Sequence, residues 1–197
     1  MKITKIKFKN PEKVSNWISK NLVQGDPRYE AWPEEEEWLT YFIFNMAIII
    51  KEQDIPNLKE PGIQELQQIG GPQEVYKYIA SELLQQKGIK KENIKFEYQF
   101  GTRRLDVFAK KNHKKFLVEC CSCYIKKLIQ YLDDKNVELW VITYGYSPWE
   151  TVPYLEKSKW FIIKRGPRWD GTYKKYNDHW KERLKKIKSP IDTLFGK

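Results

Sequence analysis

Two stretches of alternating hydrophobicity, separated by a short polar turn, constrain this chain more than any other feature. They are residues 103–110 and 115–123, joined by residues 111–113. Period-two alternation is typical of strands with one buried face, so the segment predicts a β-hairpin. Asp106 and Glu119 stand nearly the same number of residues from the turn. Pairing of the two arms therefore predicts that these carboxylates lie side by side, about 5 Å apart.

Two carboxylates at that separation repel each other unless a cation lies between them. A divalent metal site is the most economical explanation of the pair. The alternative is an ordinary solvated or salt-bridged pair with Arg103 or Arg104 as counter-ion. Apolar residues at alternate positions of both arms favour strands packed beneath a cleft; they are Leu105, Val107, Ala109, Phe116, Val118 and Cys120.

The positive charge of the chain is concentrated in the half that contains the hairpin. The net charge is +10; residues 1–100 hold 14 Lys/Arg and 15 Asp/Glu, whereas residues 101–197 hold 22 and 11. Such a field attracts polyanions, and each neutralised phosphate adds salt-dependent affinity. DNA is the predicted partner, although a lysine-rich solubilising surface or a thermophile's ion-pair surface accounts for the composition equally well.

Several function classes are disfavoured by what the sequence contains. A Gly-rich phosphate loop is missing, which argues against a nucleotide-driven machine. The start of the chain has no secretory signal, and the longest apolar run, residues 38–50, is too short for a bilayer span. Three clustered cysteines, at positions 120, 121 and 123, cannot form a disulfide framework and indicate a reducing cytoplasm. Without a fourth cysteine, buried structural thiols are favoured over a zinc or iron–sulfur site.

The order of predicted elements indicates an α/β fold. We expect an edge strand at 2–8, a short helix at 11–22, a helix from Pro33 through the apolar run, a connector at 54–72, a helix at 72–87, strands at 93–100, 103–110 and 115–123, a helix at 125–134, a strand at 137–143 and a basic helix at 173–187. This places an αβββαβ core with a mixed central sheet at residues 72–165. An N-terminal strand and helical extension (1–71) precedes it, and a basic aromatic C-terminal extension (166–197) follows.

That order, with Asp106 on the second core strand and Glu119 late in the third, resembles the PD-(D/E)XK (restriction-endonuclease-like) nuclease superfamily. The similarity is greatest to its archaeal Holliday-junction-resolvase and RecB-like branches, and it covers about residues 72–145. It implies a metal-dependent, structure-selective DNA nuclease. It further implies that Asp106, Glu119 and the backbone carbonyl of Cys120 hold Mg²⁺ or Mn²⁺, and that Glu74 supplies the helix-borne glutamate.

The chain departs from this family at one signature position. The family has Glu-x-Lys where this chain has Glu119-Cys120-Cys121. By analogy with members whose lysine lies on the following helix, Lys126 or Lys127 would replace it, and Lys126 is preferred. Otherwise the site binds DNA without cutting it, and the protein is an inactive accessory factor. A third alternative is a dimeric structural protein whose basic half contacts RNA or another acidic partner.

Cations near the hairpin and beyond the core are the candidate nucleic-acid contacts. Residues 164–169 predict a DNA-facing loop around Gly166-Pro167, in which an exposed tryptophan would stack on bases. The alternative is that residues 160–163 form a last core strand. The full set of candidate contacts is Arg103, Arg104, Lys126, Lys127, Lys164, Arg165, Arg168 and Trp169.

Two further partners are predicted. The terminal segment KSPIDTLFGK resembles a sliding-clamp (PCNA) interaction peptide, with Ile191, Leu194 and Phe195 at its hydrophobic positions. Docking of this tail onto its own domain or onto a second subunit is the alternative. Resolvase-like proteins are usually dimers, so we also expect a homodimer, with the helix at 34–50 as its interface.

Overall fold

Seven strands form the body of the protein in a computed structural model that describes residues 3–23, 33–55, 72–101, 103–120, 125–143 and 158–169. The strands are β1 (Ile3–Lys5), β2 (Ile48–Gln53), β3 (Ile94–Phe100), β4 (Arg103–Lys111), β5 (Lys114–Cys120), β6 (Val137–Thr143) and β7 (Lys159–Arg165). The α-helices are α1 (Pro11–Ile18), α2 (Pro33–Phe44), α3 (Pro72–Gln86) and α4 (Ile125–Leu132). A π-helical turn (Ser19–Val23) continues α1, and a 3₁₀ turn (Lys91–Asn93) precedes β3.

The strands belong to a single mixed sheet in the order β1-β2-β7-β6-β5-β4-β3. β5 and β6 are parallel, and the other neighbouring pairs are antiparallel. A parallel pair needs a crossover connection, which α4 supplies between the end of β5 and the start of β6. Every residue of β6 is buried, as expected of a central strand covered on both faces.

Helices cover both faces of the sheet and enclose a core on each side. α1, α2 and α4 pack on one face, and α3 packs on the other. Alternation along β5 directs Phe116 and Val118 toward α3 and Leu117 toward α4. Glu119 lies on the α4 side, next to Tyr131. α3 and α4, the helices before and after the hairpin, therefore cover opposite faces of the sheet.

The predicted α/β class, with a mixed sheet flanked by helices, is confirmed. The core elements follow the predicted order α3-β3-β4-β5-α4-β6. β1 is an edge strand, as predicted. Local signals explain the helix ends: the Asn10 side chain accepts a hydrogen bond from the Lys13 backbone N–H at 3.0 Å, and Gly88 (φ 76°) follows the end of α3.

The prediction that the apolar run 38–50 is one helix is wrong. α2 ends at Phe44, Met46 has a positive φ of 59°, and residues 48–53 form β2. The β-branched run from Ile48 to Ile50 favours an extended backbone, and β2 pairs with both β1 and β7. Residues on both sides of the predicted boundary at 71 therefore contribute to one sheet.

The same segment bears on the predicted homodimer. Leu39 and Phe42 of α2 are buried in the protein's own core. Tyr41, Phe44 and Met46 keep 40% or more of their surface exposed. A dimer through this segment stays a prediction, and it would use the second set of residues.

The chain directly after β7 packs closely against the end of α2, where the sequence predicted a DNA-facing loop. Residues 159–165 form β7, so the alternative of a last core strand is confirmed. A Cβ atom at Gly166 would lie 1.9 Å from the Met46 carbonyl oxygen, and the Gly166 N–H donates to Ala47 O at 2.7 Å. Only glycine allows the chain to leave β7 so close to the end of α2.

Some predicted features lie outside the described residues. These are most of the connector at 54–72, the basic helix at 173–187 and the clamp-like tail with Ile191, Leu194 and Phe195. Among the helices that are described, none is long and apolar enough to cross a membrane.

Candidate functional site

The hairpin has the register that the sequence predicts, and its regular strand pairing ends at the two carboxylates. Cα pairing runs from Lys111 opposite Lys114 to Val107 opposite Val118. The next step would place Asp106 opposite Glu119. There Asp106 Oδ2 instead accepts a hydrogen bond from the backbone N–H of Cys120 at 2.7 Å. A side-chain carboxylate thus takes over the acceptor role of the backbone, and regular pairing ends there; this interruption of the β4–β5 pairing is called the opening.

Asp106 is held between β5 and the first turn of α3. Besides the Cys120 N–H, it accepts a hydrogen bond from Gln73 Nε2 at 3.0 Å through Oδ1. Burial raises the pKa of Asp106, and these two hydrogen bonds and the charge of Lys77 only partly oppose that shift. The carboxylate is therefore oriented on both oxygens but remains poorly compensated as an anion.

Glu119 lies on the other side of the opening, under α4, and only 4% of its surface is exposed. The Tyr131 hydroxyl donates to Glu119 Oε1 at 3.1 Å, and Lys127 Nζ lies 3.3 and 3.5 Å from the two carboxylate oxygens. Burial raises the pKa of Glu119 to about 7, and the charge of Asp106 adds to that rise. Lys127 and Tyr131 act in the opposite direction without cancelling it.

Two helices begin at this end of the sheet and supply the partners of the carboxylates. Gln73 is the second residue of α3, and Lys127 is the third residue of α4. The N-terminal turn of a helix carries a partial positive charge and free N–H groups, so anions are favoured near it. The opening therefore combines two repelling acids with surroundings that favour an added anion.

A second polar cluster flanks the site on the α3 side. Lys77 is 5% exposed; its Nζ lies 2.7 Å from Glu74 Oε1 and also contacts Glu97. Arg104 Nε lies 2.5 Å from the other Glu97 oxygen. Desolvation lowers the pKa of Lys77, but the hydrogen bonds and charges of both glutamates outweigh it, so the net shift is upward.

Glu97 holds an unusual backbone conformation inside a strand. Its φ is 49°, in the left-handed region that side-chain-bearing residues rarely adopt. The β3–β4 register is the same on both sides of it, with Phe96 opposite Val107 and Tyr98 opposite Leu105. The pair between them, Glu97 and Asp106, is skipped. Strained backbone, here next to a half-buried acid, is a common property of functional sites.

The predicted site residues are brought together in part. Glu74 is placed in the first turn of α3, where it pairs with Lys77. Lys127 contacts Glu119, whereas the side chain of Lys126 lies outside the described residues, so its predicted role stays a prediction. Cys120 is buried and not part of a disulfide, in agreement with the structural interpretation of that cysteine. Cys121 and Cys123 lie outside the described residues.

The predicted contacts beyond the core lie at the other end of the sheet. Arg165 donates through Nε to the Leu132 carbonyl, and its guanidinium carbon is 5.1 Å from the centre of the Trp169 ring. Trp169 is partly buried against the core, with its ring 5.5 Å from that of Phe42. The ring is therefore a packing element and not the fully exposed stacking surface that we expected. Lys164 is half-buried, and Arg168 is exposed.

Sequence reasoning missed four residues of the site: Gln73, Lys77, Glu97 and Tyr131. One signal was present, because Lys127 and Tyr131 are four residues apart and therefore share a helix face. That face carries both donors to Glu119. The contribution of β3 through Glu97 had no sequence signal, because a glutamate with positive φ is not expected in a strand.

The carboxylate pair suits a hard divalent cation. In the described part of the chain, no group of three or more His, Cys, Asp or Glu residues is placed to hold a metal ion. Mg²⁺, however, usually takes one or two carboxylates and completes its shell with water and phosphate oxygens. Asp106 and Glu119, both with raised pKa values, are the groups whose ionised forms such a cation would stabilise.

Comparison of the chain with protein-family models, with curated proteins and with solved structures finds no match in any of the three. The function has to be inferred from the chemistry of the site.

Proposed function

We propose that this protein is a metal-dependent nuclease with a restriction-endonuclease-like core that hydrolyses phosphodiester bonds in DNA, with selectivity for DNA structure. Repair, recombination or replication would be its setting. The proposal is supported by the αβββαβ element order, by the basic C-terminal half and by the carboxylate pair at the hairpin.

One observation carries the proposal: regular pairing of β4 with β5 ends at two acids, the half-buried Asp106 and the buried Glu119, whose charges repel each other. A protein that only needed a stable hairpin would gain by placing apolar residues there, because burying like charges costs free energy. Instead, Gln73, the Cys120 N–H, Tyr131 and Lys127 hold the acids in fixed orientations. Preorganised acids of this kind are typical of sites that act on a bound ligand.

The residues divide into ligands and positioning groups. Asp106 and Glu119 would hold Mg²⁺ or Mn²⁺, together with the carbonyl of Cys120 that the resemblance implies. The ion, when bound, supplies Lewis-acid stabilisation of the phosphate and a water of lowered pKa. Gln73 orients Asp106, and Tyr131 orients Glu119. Arg103 and Arg104, at the start of β4, and the starts of α3 and α4 would attract the DNA backbone.

Among the cations that the structure describes, Lys127 is best placed to substitute for the family's signature lysine, whose position is Cys121 in this chain. Its side chain is 17% exposed, and its Nζ lies close to both oxygens of Glu119. A cation there would orient the attacking water and stabilise charge on the phosphate.

The test is a cleavage screen on single-stranded, duplex, flap and four-way DNA with Mg²⁺, Mn²⁺ or a chelator. Asp106→Ala is expected to lower cleavage by about 10³-fold or more, because the site loses a ligand of the metal ion. DNA binding should persist or strengthen, since a negative charge next to phosphate is removed. Asp54→Ala, at an exposed aspartate after β2, is the matched control and should cut at the wild-type rate.

Failure of the wild-type protein to cut any of these substrates, or any RNA, with either metal would overturn the nuclease proposal. The second candidate, an inactive accessory protein that binds DNA, would then be favoured. One observation supports that candidate: Lys127 already lies within salt-bridge distance of Glu119 and partly neutralises it.

A further inference from the structure

A basic cleft lies at the end of the sheet opposite the carboxylates. It has a volume of about 560 Å³ and is formed by the β4–β5 turn, the loop before β6 and the end of β7. The cations that line it are Lys111, Lys114, Lys135, Lys164 and Arg165. Three segments far apart in sequence thus bring five Lys/Arg side chains to one cleft.

The cleft carries a clear excess of positive charge, although Asp134 beside it interacts electrostatically with Arg165. Its one acid, Glu138, is buried and engaged by Lys114 Nζ at 2.6 Å and by Trp140 Nε1 at 2.9 Å. Among the described residues, no salt bridge joins Lys111, Lys135, Lys164 or Arg165 to a carboxylate; these are the four remaining cations of the cleft. Lys111 Nζ donates to the Lys87 carbonyl, and Arg165 Nε to that of Leu132, and neither bond removes charge.

Lysines just outside the cleft, in contrast to most of those that line it in the described structure, are paired with acids. Lys115, one residue from the cleft, is paired with Asp134 at 2.7 Å, and Lys159, at the start of β7, is paired with Glu52 at 2.8 Å. The protein therefore pairs neighbouring lysines with acids but leaves the cleft positive. Like charges gathered without counter-ions lower stability through repulsion unless a polyanion relieves it.

The shape and the neutral groups of the cleft fit a nucleic-acid backbone. Most of its lining residues are exposed, so it is an open trough and not an enclosed pocket for a small anion. Asn112, His113 and Asn136 add side-chain donors beside the cations. Phosphates are contacted by this mixture of Lys/Arg and neutral polar side chains, and an extended strand presents several phosphates at once.

The cleft is separate from the carboxylate site. β5 leads from Lys114, which lines the cleft, to Cys120, which donates to Asp106. A strand of seven residues spans about 20 Å at roughly 3.3 Å per residue. A nucleic acid bound at one end of the sheet would therefore not be contacted by the other end unless it extended along or around the protein.

We propose that this cleft is a second nucleic-acid site, which binds the phosphate backbone of a DNA or RNA strand independently of sequence and of divalent metal. Lys135, Lys164 and Arg165 are its principal contacts, and the hairpin turn at Asn112 and His113 forms one wall. The site adds an anchoring surface to the protein whether or not the carboxylate end cuts.

The test compares two double charge reversals in the full chain. Lys135→Glu/Lys164→Glu changes the cleft, and Lys5→Glu/Lys95→Glu changes two exposed lysines outside it, so both variants lower the net charge equally. Binding of a labelled single-stranded oligonucleotide is measured by fluorescence anisotropy in chelator at several salt concentrations. The cleft variant is expected to lose about tenfold in affinity per lysine near 0.1 M salt and to show a shallower salt dependence by about two phosphates. The control variant should lose much less.

Equal losses in both variants would overturn the proposal, because they would reflect net charge alone. Polyglutamate that competes as well as an oligonucleotide of equal length would also overturn it. If the cleft variant fails to fold, the wild-type protein still tests the site by NMR. Oligonucleotide should then shift the backbone amides of residues 112–114 and 135–137; shifts that spare both segments contradict the proposal.

The Asp106→Ala protein separates this inference from the nuclease proposal. It should keep cleft binding in full even if the wild-type protein never cuts DNA. A wild-type protein that cuts DNA but shows no binding at the cleft would reject only the second site.

Discussion

Two buried glutamates on neighbouring strands behave in opposite ways. Glu119, at the end of β5, and Glu138, near the start of β6, are 4% and 6% exposed. Burial raises the pKa of Glu138, but hydrogen bonds from Lys114 and Trp140 outweigh it, so its net shift is downward. For Glu119, burial and the charge of Asp106 prevail, and the pKa rises to about 7.

The difference lies in the partners of each acid and not in its depth. Lys114 Nζ is 2.6 Å from Glu138, whereas Lys127 Nζ is no closer than 3.3 Å to Glu119. The charge of Asp106 also raises the pKa of Glu119, whereas no second acid is among the groups that shift the pKa of Glu138. One end of the sheet holds a satisfied structural acid, and the other end holds an acid that a ligand would complete.

Replacing each glutamate by glutamine should separate the two ends most strongly. Near pH 8, Glu119→Gln is expected to raise the free energy of unfolding by up to about 3 kcal/mol, because an ionised side chain that the fold disfavours is removed. Glu138→Gln should lower it by about 1 kcal/mol, since Lys114 loses its charged partner. Urea unfolding in chelator measures both changes; effects of the same sign would contradict the comparison.

The pH dependence of the same variants gives the sign independently. Folding raises the pKa of Glu119 from its ordinary value of 4.5 to about 7, so the folded state keeps a proton that the unfolded chain has released. Its contribution to stability is therefore lost as the pH rises from about 4.5 to about 7 and is constant above that. The wild-type minus Glu119→Gln difference should show this slope and the wild-type minus Glu138→Gln difference should not.

The two lysines that meet these glutamates offer the next contrast. Lys127→Met is expected to lower the cleavage rate at saturating DNA by about 100-fold, because a cation next to the reacting phosphate is lost. Lys114→Met, which removes the matching lysine at the other end, should leave that rate unchanged. Lys127→Arg should recover part of the loss. A Lys127→Met protein that cuts at the wild-type rate would exclude Lys127 as the replacement for the missing lysine.

The smallest expected effect concerns the backbone at each end. Glu97 (φ 49°) lies in a strand beside the carboxylates, and Asn112 (φ 54°) lies in the hairpin turn. Glu97→Gly should be more stable than Glu97→Ala by about 1 kcal/mol. Both variants lose the ion pairs, but the left-handed backbone at this position is strained for alanine and unstrained for glycine. The Asn112 pair of variants should show the same sign. Thermal unfolding compares them, and an alanine variant at position 97 that is the more stable one would argue against a left-handed backbone there.

The hairpin and its register were predictable because a two-residue side-chain period leaves few choices of register. Once Lys111 pairs with Lys114, continued pairing would place Asp106 opposite Glu119; the observed pairing ends at Val107 and Val118. The end of α2 was not predicted, because an apolar run without turn residues does not distinguish a buried helix from a buried strand. Pairing of β2 with both β1 and β7 decided between them.

Sequence alone determined the α/β class, the order of the core elements and the acids on the hairpin, since these follow from local periodicity and from counting along the chain. Only the tertiary structure decided which cation meets Glu119, how Glu97 and Lys77 flank Asp106, and that lysines from three distant segments form one cleft. Such contacts depend on the positions of elements that are remote in sequence, and short-range pattern carries no information about those distances.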